Sequence, residues 1–160
     1  MLRKGGEAML EYLAGLIQNR VLLAAVAGWT AAQVLKTILV LIMEGELRLE
    51  RLMGSGGMPS SHSATTCALA TACSVVHGPQ STEFAIAFIL AFIVMYDACN
   101  VRLETGKQAV AIKELQELLQ KMGQDLSVEE KLKELVGHTL PQVLVGAILG
   151  TLIGVGVTML

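Results

Sequence analysis

The sequence has few charged and few aromatic residues for its length. Of its 160 residues, 16% are charged and 4% are aromatic, whereas an average soluble domain is about 25% charged. The 12 Lys and Arg residues are balanced by 14 Asp and Glu residues, so the basic surface of a duplex-binding protein is missing. So few aromatic side chains also disfavour base stacking on single-stranded nucleic acid. These shortages argue against nucleic acid as a partner.

Cysteines with metal-binding spacing are missing as well. Cys67, Cys73 and Cys99 all lie in apolar stretches, and no two of them form a C-x-x-C pair. This pattern predicts neither a zinc site nor a disulfide framework. We therefore expect no metal ion and no cofactor.

Apolar residues, in contrast, are abundant, at 53% of the chain. Residues 21–43 read VLLAAVAGWTAAQVLKTILVLIM, which as a helix spans about 34 Å, enough for a hydrocarbon core of about 30 Å. Residues 61–76 are rich in Ala, Ser and Thr and predict an interior helix. Two further apolar stretches cover residues 84–101 and 140–160. The fold predicted for residues 1–160 is a single all-α membrane domain with about four transmembrane helices.

Two polar segments flank or connect these spans. The connector at residues 102–139 contains KELQELLQKM, an amphipathic helix that suits either the bundle or bilayer surface, or a solvated connection. Its apolar stripe comprises Leu115, Leu118, Leu119 and Met122. Residues 5–19 predict a second interfacial helix. Acidic residues in this segment interrupt the apolar run that a cleaved secretory signal requires, so we expect no cleavage.

The distribution of positive charge predicts the orientation. In a four-span arrangement, residues 44–58 and 103–139 lie on one side of the membrane and hold two arginines and five lysines, against three basic residues on the other side. The side with more Lys and Arg is expected to be cytoplasmic, in a plasma (inner) membrane. The arginines are Arg48 and Arg51, and the three residues opposite are Arg3, Lys4 and Arg20. A homo-oligomer is compatible with this arrangement.

Several ionisable residues lie within or next to the predicted spans. Such residues cost several kcal/mol at membrane depth and usually line a site. Alternating spans place the second half of span one, the start of span two, the end of span three and the start of span four at the same membrane face. The residues concerned are Lys36, His62, Asp97, Arg102 and His138. We therefore expect one polar site at the cytoplasmic edge of the bundle.

The chemistry of this set fits a phosphate ester. Lys36 and Arg102 supply positive charge for the phosphoryl oxygens. The run GGMPSSHS opens span two, where Gly57 gives flexibility, Ser60 is suited to cap the helix, and the amide groups of Ser61 and the following histidine point at the same anion. Two histidines provide a nucleophile and a proton donor.

These residues resemble a known superfamily. The segments MPSSHSA, MYDACNVR, GKQA and ELVGHTLPQV, together with Gln33 and Lys36, resemble the divergent bacterial and plant branch of the type 2 phosphatidic acid phosphatase and vanadium haloperoxidase superfamily. The resemblance extends over residues 31–150. It implies hydrolysis of a lipid phosphomonoester through a phosphohistidine intermediate, without a metal. Phosphatidylglycerophosphate, phosphatidate and polyprenyl phosphates are the substrate classes considered.

The resemblance also implies individual roles. His138 matches the nucleophile and His62 the general acid, while Lys36 and Arg102 match phosphate-binding cations. Ser60 and Ser61 match the second phosphate-binding motif, with Gly57 preceding them. Asp97 is considered, on its location alone, as a carboxylate that orients the nucleophile. Arg48 and Arg51 are alternatives for the arginine that accompanies the lysine.

The sequence also departs from the superfamily pattern. Ser61 occupies a glycine position, Arg102 precedes His138 by 36 residues rather than a few, and Gln142 stands where an orienting Asp is expected. These departures keep open a bundle that binds an anionic lipid or a partner without turnover. Lys36, Asp97 and the histidines also fit an ion or proton pathway. We do not expect an ion pair between Asp97 and Arg102 within one helix, because five residues separate them by about 140° around a helix. We expect instead separate roles for the two residues or a broken helix end.

Overall fold

The computed structural model describes residues 2–45, 57–123 and 137–160. All regular secondary structure within these ranges is α-helical, which confirms the all-α prediction. The helices are α1 (Leu2–Gln18), α2 (Arg20–Glu44), α3 (Ser61–His77), α4 (Thr82–Cys99), α5 (Val101–Lys121) and α6 (Leu140–Met159).

Among the described residues, three helical stretches are long and apolar enough to cross a membrane, judged by length and composition. They are Arg20–Met43, Thr82–Lys121 and Leu140–Met159. The remaining predicted span forms α3, which has 17 residues and is not among the three. That α3 also crosses the membrane therefore stays a prediction.

Local caps determine where the first long helix begins and ends. The amides of Val21 and Leu22 donate to the Asn19 side-chain oxygen over 3.1 and 3.0 Å, which satisfies two amides at the start of α2. At the other end, Gly45 has a φ of 71°, and its amide donates to the Leu41 carbonyl. A glycine with left-handed geometry is a common way to end a helix.

The third predicted span ends earlier than its apolar pattern suggests. The helix breaks at Asn100, so α4 stops at Cys99 and α5 starts at Val101. The connector is therefore helical from its beginning, over 21 residues rather than the ten of the predicted amphipathic segment. The rest of the connector, residues 124–136, lies outside the described residues.

Helix α3 lies at the centre of the bundle and packs against α2, α4 and α6. Gly146 lies against Ser60, and Gly154 lies against Ala68, so α6 runs parallel to α3. The Sγ atom of Cys67 lies 3.8 Å from the Sδ atom of Met95 near the end of α4, so α4 runs antiparallel to α3.

Small residues allow the close approach of α6 to α3. A Cβ atom added at Gly150 would overlap the backbone of Ala64, and one added at Gly154 would lie 2.8 Å from the Ala68 carbonyl oxygen. Ala64 and Ala68 are fully buried. The series of Gly146, Gly150 and Gly154 therefore serves the packing of α6 on α3.

The helix directions bring four chain segments together at one end of the bundle. These segments are the second half of α2, the first turn of α3, the α4–α5 break and the residues that precede α6. At the opposite end, the guanidinium group of Arg20 donates to the Thr158 carbonyl over 3.3 Å, which links the start of α2 to the end of α6. The polar residues singled out in the sequence therefore belong to one end of the molecule.

Candidate active site

Two imidazole rings lie next to each other at this end of the bundle. The ring centroids of His62 and His138 are 6.0 Å apart, and the rings meet edge to face at an interplanar angle of 62°. His62 lies in the first turn of α3, and His138 lies two residues before α6. Because α3 and α6 run parallel, their N-terminal ends bring these two rings together.

His138 is held by backbone contacts with the α4–α5 break. Its amide donates to the Ala98 carbonyl over 2.9 Å. The preceding residue, Gly137, has a φ of 102°, and a Cβ atom there would lie 2.7 Å from the Arg102 carbonyl carbon. This close approach excludes any larger residue at Gly137 and brings His138 beside the start of α5, although 36 residues separate it from Arg102 in sequence.

Gln142 fixes the orientation of the His138 ring. Its side-chain oxygen, Oε1, lies 3.3 Å from His138 Nδ1 and accepts a hydrogen bond from the Thr139 amide over 3.1 Å. Since an amide oxygen only accepts hydrogen bonds, Nδ1 carries the proton and Nε2 keeps its lone pair. Sequence reasoning treated Gln142 only as a departure from a pattern. The signal that it missed is the helix cap at Thr139, which aims the amide oxygen back at the histidine.

Burial keeps the His138 ring neutral. With 3% of its surface exposed, His138 is among the buried polar residues. Burial lowers the pKa of His138 below its ordinary value of 6.5, and the hydrogen bond with Gln142 opposes this change. The positive charges of Lys36 and Arg102 lower the pKa of His138 further. A neutral imidazole at pH 7 follows, which is the form that a nucleophile requires.

Lys36 lies buried inside the bundle, with 2% of its surface exposed. Its ammonium group donates to the Gln33 side-chain oxygen over 3.1 Å, as expected for two residues on one helix face. Gly57 covers the aliphatic part of this side chain, because a Cβ atom at Gly57 would lie 3.7 to 3.9 Å from three Lys36 carbons. The Lys36 side chain therefore stays inside the bundle.

The two serines of the second motif are buried at the start of α3. Ser60 caps the helix, since its hydroxyl oxygen accepts from the Ser63 amide over 3.3 Å. The Ser60 amide donates to the Gln142 carbonyl over 3.0 Å, which joins the start of α3 to the first turn of α6. In the same turn, His62 Nδ1 is buried without a hydrogen-bond partner among the described residues. This nitrogen is available to a ligand.

Asp97 pairs with Arg102 rather than with a histidine ring nitrogen. The Arg102 Nε atom lies 2.6 Å from the Asp97 Oδ2 atom, with both side chains partly exposed. The pair forms across the break at Asn100 and not within one helix, which agrees with the expectation that a single helix does not pair these residues. The position next to His138 Nδ1, considered for Asp97, is taken by Gln142. Arg48 and Arg51 lie outside the described residues.

Comparison with known proteins identifies the family of the chain. Residues 17–153 match a family model described as the divergent PAP2 family, where PAP2 denotes type 2 phosphatidic acid phosphatase. An uncharacterized membrane protein, YuiD of Bacillus subtilis (strain 168), is 35% identical over 147 residues, which cover 86% of this chain and 93% of that protein. No solved structure matches the chain. The resemblance inferred from the motifs is confirmed: the chain is a membrane protein that belongs to the divergent PAP2 family.

Proposed function

We propose that this protein hydrolyses phosphate monoesters of membrane lipids, with His138 as the nucleophile. The observation that carries the proposal is the pair of imidazole rings, 6.0 Å apart, at the same end of the bundle as a buried lysine. Nucleophilic catalysis requires an activated group and a separate proton donor, and two adjacent histidines fill both roles.

The first step transfers the phosphoryl group to the protein. The Nε2 lone pair of His138 attacks phosphorus while the bond from phosphorus to the lipid oxygen breaks. His62 donates a proton to that oxygen, so the lipid leaves as an alcohol. The product on the protein is a phosphohistidine whose Nδ1 proton is held by Gln142. The geometry supports Nε2 rather than Nδ1 as the attacking atom.

The second step returns His138 to its starting state. Water attacks phosphorus, and His62, now neutral, accepts a proton from it. The bond between phosphorus and Nε2 breaks, and inorganic phosphate leaves. Lys36, Arg102 and the amides at the start of α3 are proposed to hold the phosphoryl oxygens, since fixed positive groups stabilise the charge that develops there. Ser60 and Ser61 belong to this cradle.

A lipid substrate agrees with the location of the site. The polar end of the bundle adjoins helices with the length and composition of membrane spans. A lipid headgroup reaches such an edge while its hydrocarbon tail stays in the bilayer. The candidate classes are phosphatidylglycerophosphate, phosphatidate and polyprenyl phosphates. We place the site near the cytoplasmic face of the plasma membrane, because the four-span arrangement predicted from the sequence assigns most Lys and Arg residues outside the spans to that side.

A second function, binding of an anionic lipid without turnover, is favoured by one observation. Arg102 is already paired with Asp97 at 2.6 Å. The carboxylate offsets part of the positive charge that catalysis would draw from Arg102. In that case the cations bind a headgroup and the histidines do not react. This alternative predicts lipid binding without release of phosphate.

Release of phosphate by the purified protein tests the proposal. We expect wild-type protein in detergent to release inorganic phosphate from at least one lipid phosphomonoester, and His138→Ala to abolish this activity. His62→Ala should lower the rate by a factor of about 10² to 10⁴, the usual contribution of general acid catalysis. His77→Ala, an exposed histidine at the far end of α3, is the matched control and should keep full activity.

Two results would contradict the proposal. Unchanged phosphate release in His138→Ala would exclude this residue as the nucleophile. Binding of lipid phosphates by wild-type protein without any phosphate release would favour the second function.

A further inference from the structure

A groove runs along the outside of the bundle between α3 and α4. Its volume is about 300 Å³, at the lower end of the range for small-molecule sites. Phe84, Phe88 and Phe92 follow one another at four-residue intervals on the α4 side, and a single residue of α6, Thr151, contributes to the wall. On the α3 side the groove extends from Cys67 to Val75.

The groove begins close to the candidate active site and leads away from it. Cys67 follows His62 by five residues, and Met95 precedes Asp97 by two. From these residues the groove follows α3 for about 12 Å and α4 for about 16 Å, at about 1.5 Å per residue. Its long axis is therefore directed from the site toward the opposite end of the bundle.

The end of the groove nearest the site is formed by flexible sulfur side chains. The Sγ atom of Cys67 lies 3.8 Å from the Sδ atom of Met95. Because methionine is unbranched and polarizable, it adapts readily to an apolar neighbour. A chain that enters from the site would displace side-chain atoms rather than backbone.

We infer that this groove binds one hydrocarbon chain of the lipid whose phosphate reaches His138. The inference rests on the proposed function and adds to it a subsite that selects substrates by chain length. The aromatic and aliphatic wall suits an acyl or isoprenoid chain, and the α4 wall belongs to a stretch with membrane-span composition. The groove starts within two turns of His62 and is directed away from it, which favours a substrate chain over a second copy of the protein, because a second copy would not need a groove aligned with the site.

Filling the far end of the groove tests this inference. Ser74 lies in the groove wall, about 18 Å along α3 from His62, so Ser74→Phe shortens the groove without touching the polar site. The probes are octanoyl and oleoyl lysophosphatidate, and the water-soluble ester p-nitrophenyl phosphate. Val76→Phe is the matched control, since Val76 is exposed on the same helix and outside the groove.

We expect Ser74→Phe to reduce kcat/KM for the oleoyl ester about tenfold, with little change for the octanoyl ester and for p-nitrophenyl phosphate. Val76→Phe should leave all three rates unchanged. If Ser74→Phe fails to fold, Thr151→Phe fills the same groove from α6 and should give the same selectivity change.

The outcomes separate the two proposals. Equal effects of Ser74→Phe and Val76→Phe on both lysophosphatidates, with p-nitrophenyl phosphate still hydrolysed, would overturn the groove and leave the proposed function standing. Wild-type protein that hydrolyses none of the three probes, and none of phosphatidylglycerophosphate, phosphatidate and polyprenyl phosphate, would overturn the proposed function, and the groove assignment with it.

Discussion

Gln142 connects the two halves of the candidate site. Its side-chain oxygen faces His138 Nδ1, and its backbone carbonyl accepts a hydrogen bond from the Ser60 amide. The proposed nucleophile and the proposed phosphate cradle are thereby joined by one residue. A glutamine orients the imidazole as a carboxylate does, but it provides no negative charge to favour the protonated ring.

This neutral partner leads to a prediction about pH. Because the pKa of His138 is lowered below 6.5, its neutral, nucleophilic form should persist as the pH falls below 6.5. The acid limb that His138 contributes to kcat/KM should therefore lie below pH 6.5. Gln142→Glu keeps an oxygen that accepts hydrogen bonds from His138 Nδ1 and from the Thr139 amide, and it adds a negative charge. It should therefore raise the pKa of His138 and move this limb to higher pH.

The measurement is a pH profile of kcat/KM for p-nitrophenyl phosphate in wild-type and Gln142→Glu proteins. Ionisation of the ester itself is common to both profiles, so the difference between them reports on the protein. Gln142→Leu, which removes the acceptor, should lower the rate at all pH values. Superimposable profiles of the wild-type and Gln142→Glu proteins would show that Gln142 does not act on the nucleophile.

At the scale of helices, the contact between α3 and α6 determines whether the site forms. The glycine face of α6 lies directly on the alanine face of α3, so the two N-terminal ends are at the same level. A larger distance between α3 and α6 would separate His62 from His138. It would also break the hydrogen bond between the Ser60 amide and the Gln142 carbonyl.

Two glycines of α6 provide a matched test of this contact. Gly150→Ala places a methyl group into the Ala64 backbone and should destabilise the protein by about 1–3 kcal/mol, as overpacking usually does. Gly156→Ala meets nothing within 4 Å and should leave stability equal or higher, because alanine favours helix more than glycine. Thermal unfolding in detergent, followed by circular dichroism, measures both. Equal midpoints for Gly150→Ala and Gly156→Ala would refute close packing of α6 on α3.

At the scale of the whole molecule, the orientation in the membrane is open to a direct test. Met58 is at the site end, and Gln80 is in the turn between α3 and α4 at the opposite end; both are exposed. In a background without the three native cysteines, we expect Gln80→Cys to react with an impermeant maleimide in intact cells. Met58→Cys should react only after the membrane is permeabilised.

This labelling experiment also tests whether α3 crosses the membrane. Reaction of both cysteines from the same side would show that it does not. Reaction of Met58→Cys alone in intact cells would place the candidate site on the external face.

Much of the fold could be predicted from the sequence, because helix-capping residues stand at the ends of the apolar runs. The run at residues 21–43 became α2 at Arg20–Glu44, and the run at 140–160 became α6 at Leu140–Met159. The separation of Asp97 and Arg102 indicated a broken helix end as one alternative, but the position of the break at Asn100 was not predicted, because the apolar pattern of α4 continues to Val101 and the following residues favour a helix as well. The end of a helix inside such a sequence depends on tertiary contacts, here those of Gly137 and His138 with the break.

Part of the candidate site could also be predicted from the sequence. His62 and His138 lie together, as the alternating directions of the four predicted spans indicated. The pairing of Asp97 with Arg102 was not accessible, because it depends on the bend between α4 and α5. The contact of Gln142 with His138 likewise depends on how the Thr139 cap turns the amide, which sequence spacing alone does not specify.

The parallel arrangement of α3 and α6 has an electrostatic consequence. Each helix carries a macrodipole equivalent to about half a positive charge at its N-terminus, and these two N-termini lie side by side, joined by the bond between Ser60 and Gln142. In an antiparallel pair the two fields would largely cancel, whereas here they add at the end where the histidines meet. The backbone at these two N-termini therefore favours an anion, and the C-terminal end of α4, which lies at the same end of the bundle, opposes part of this attraction.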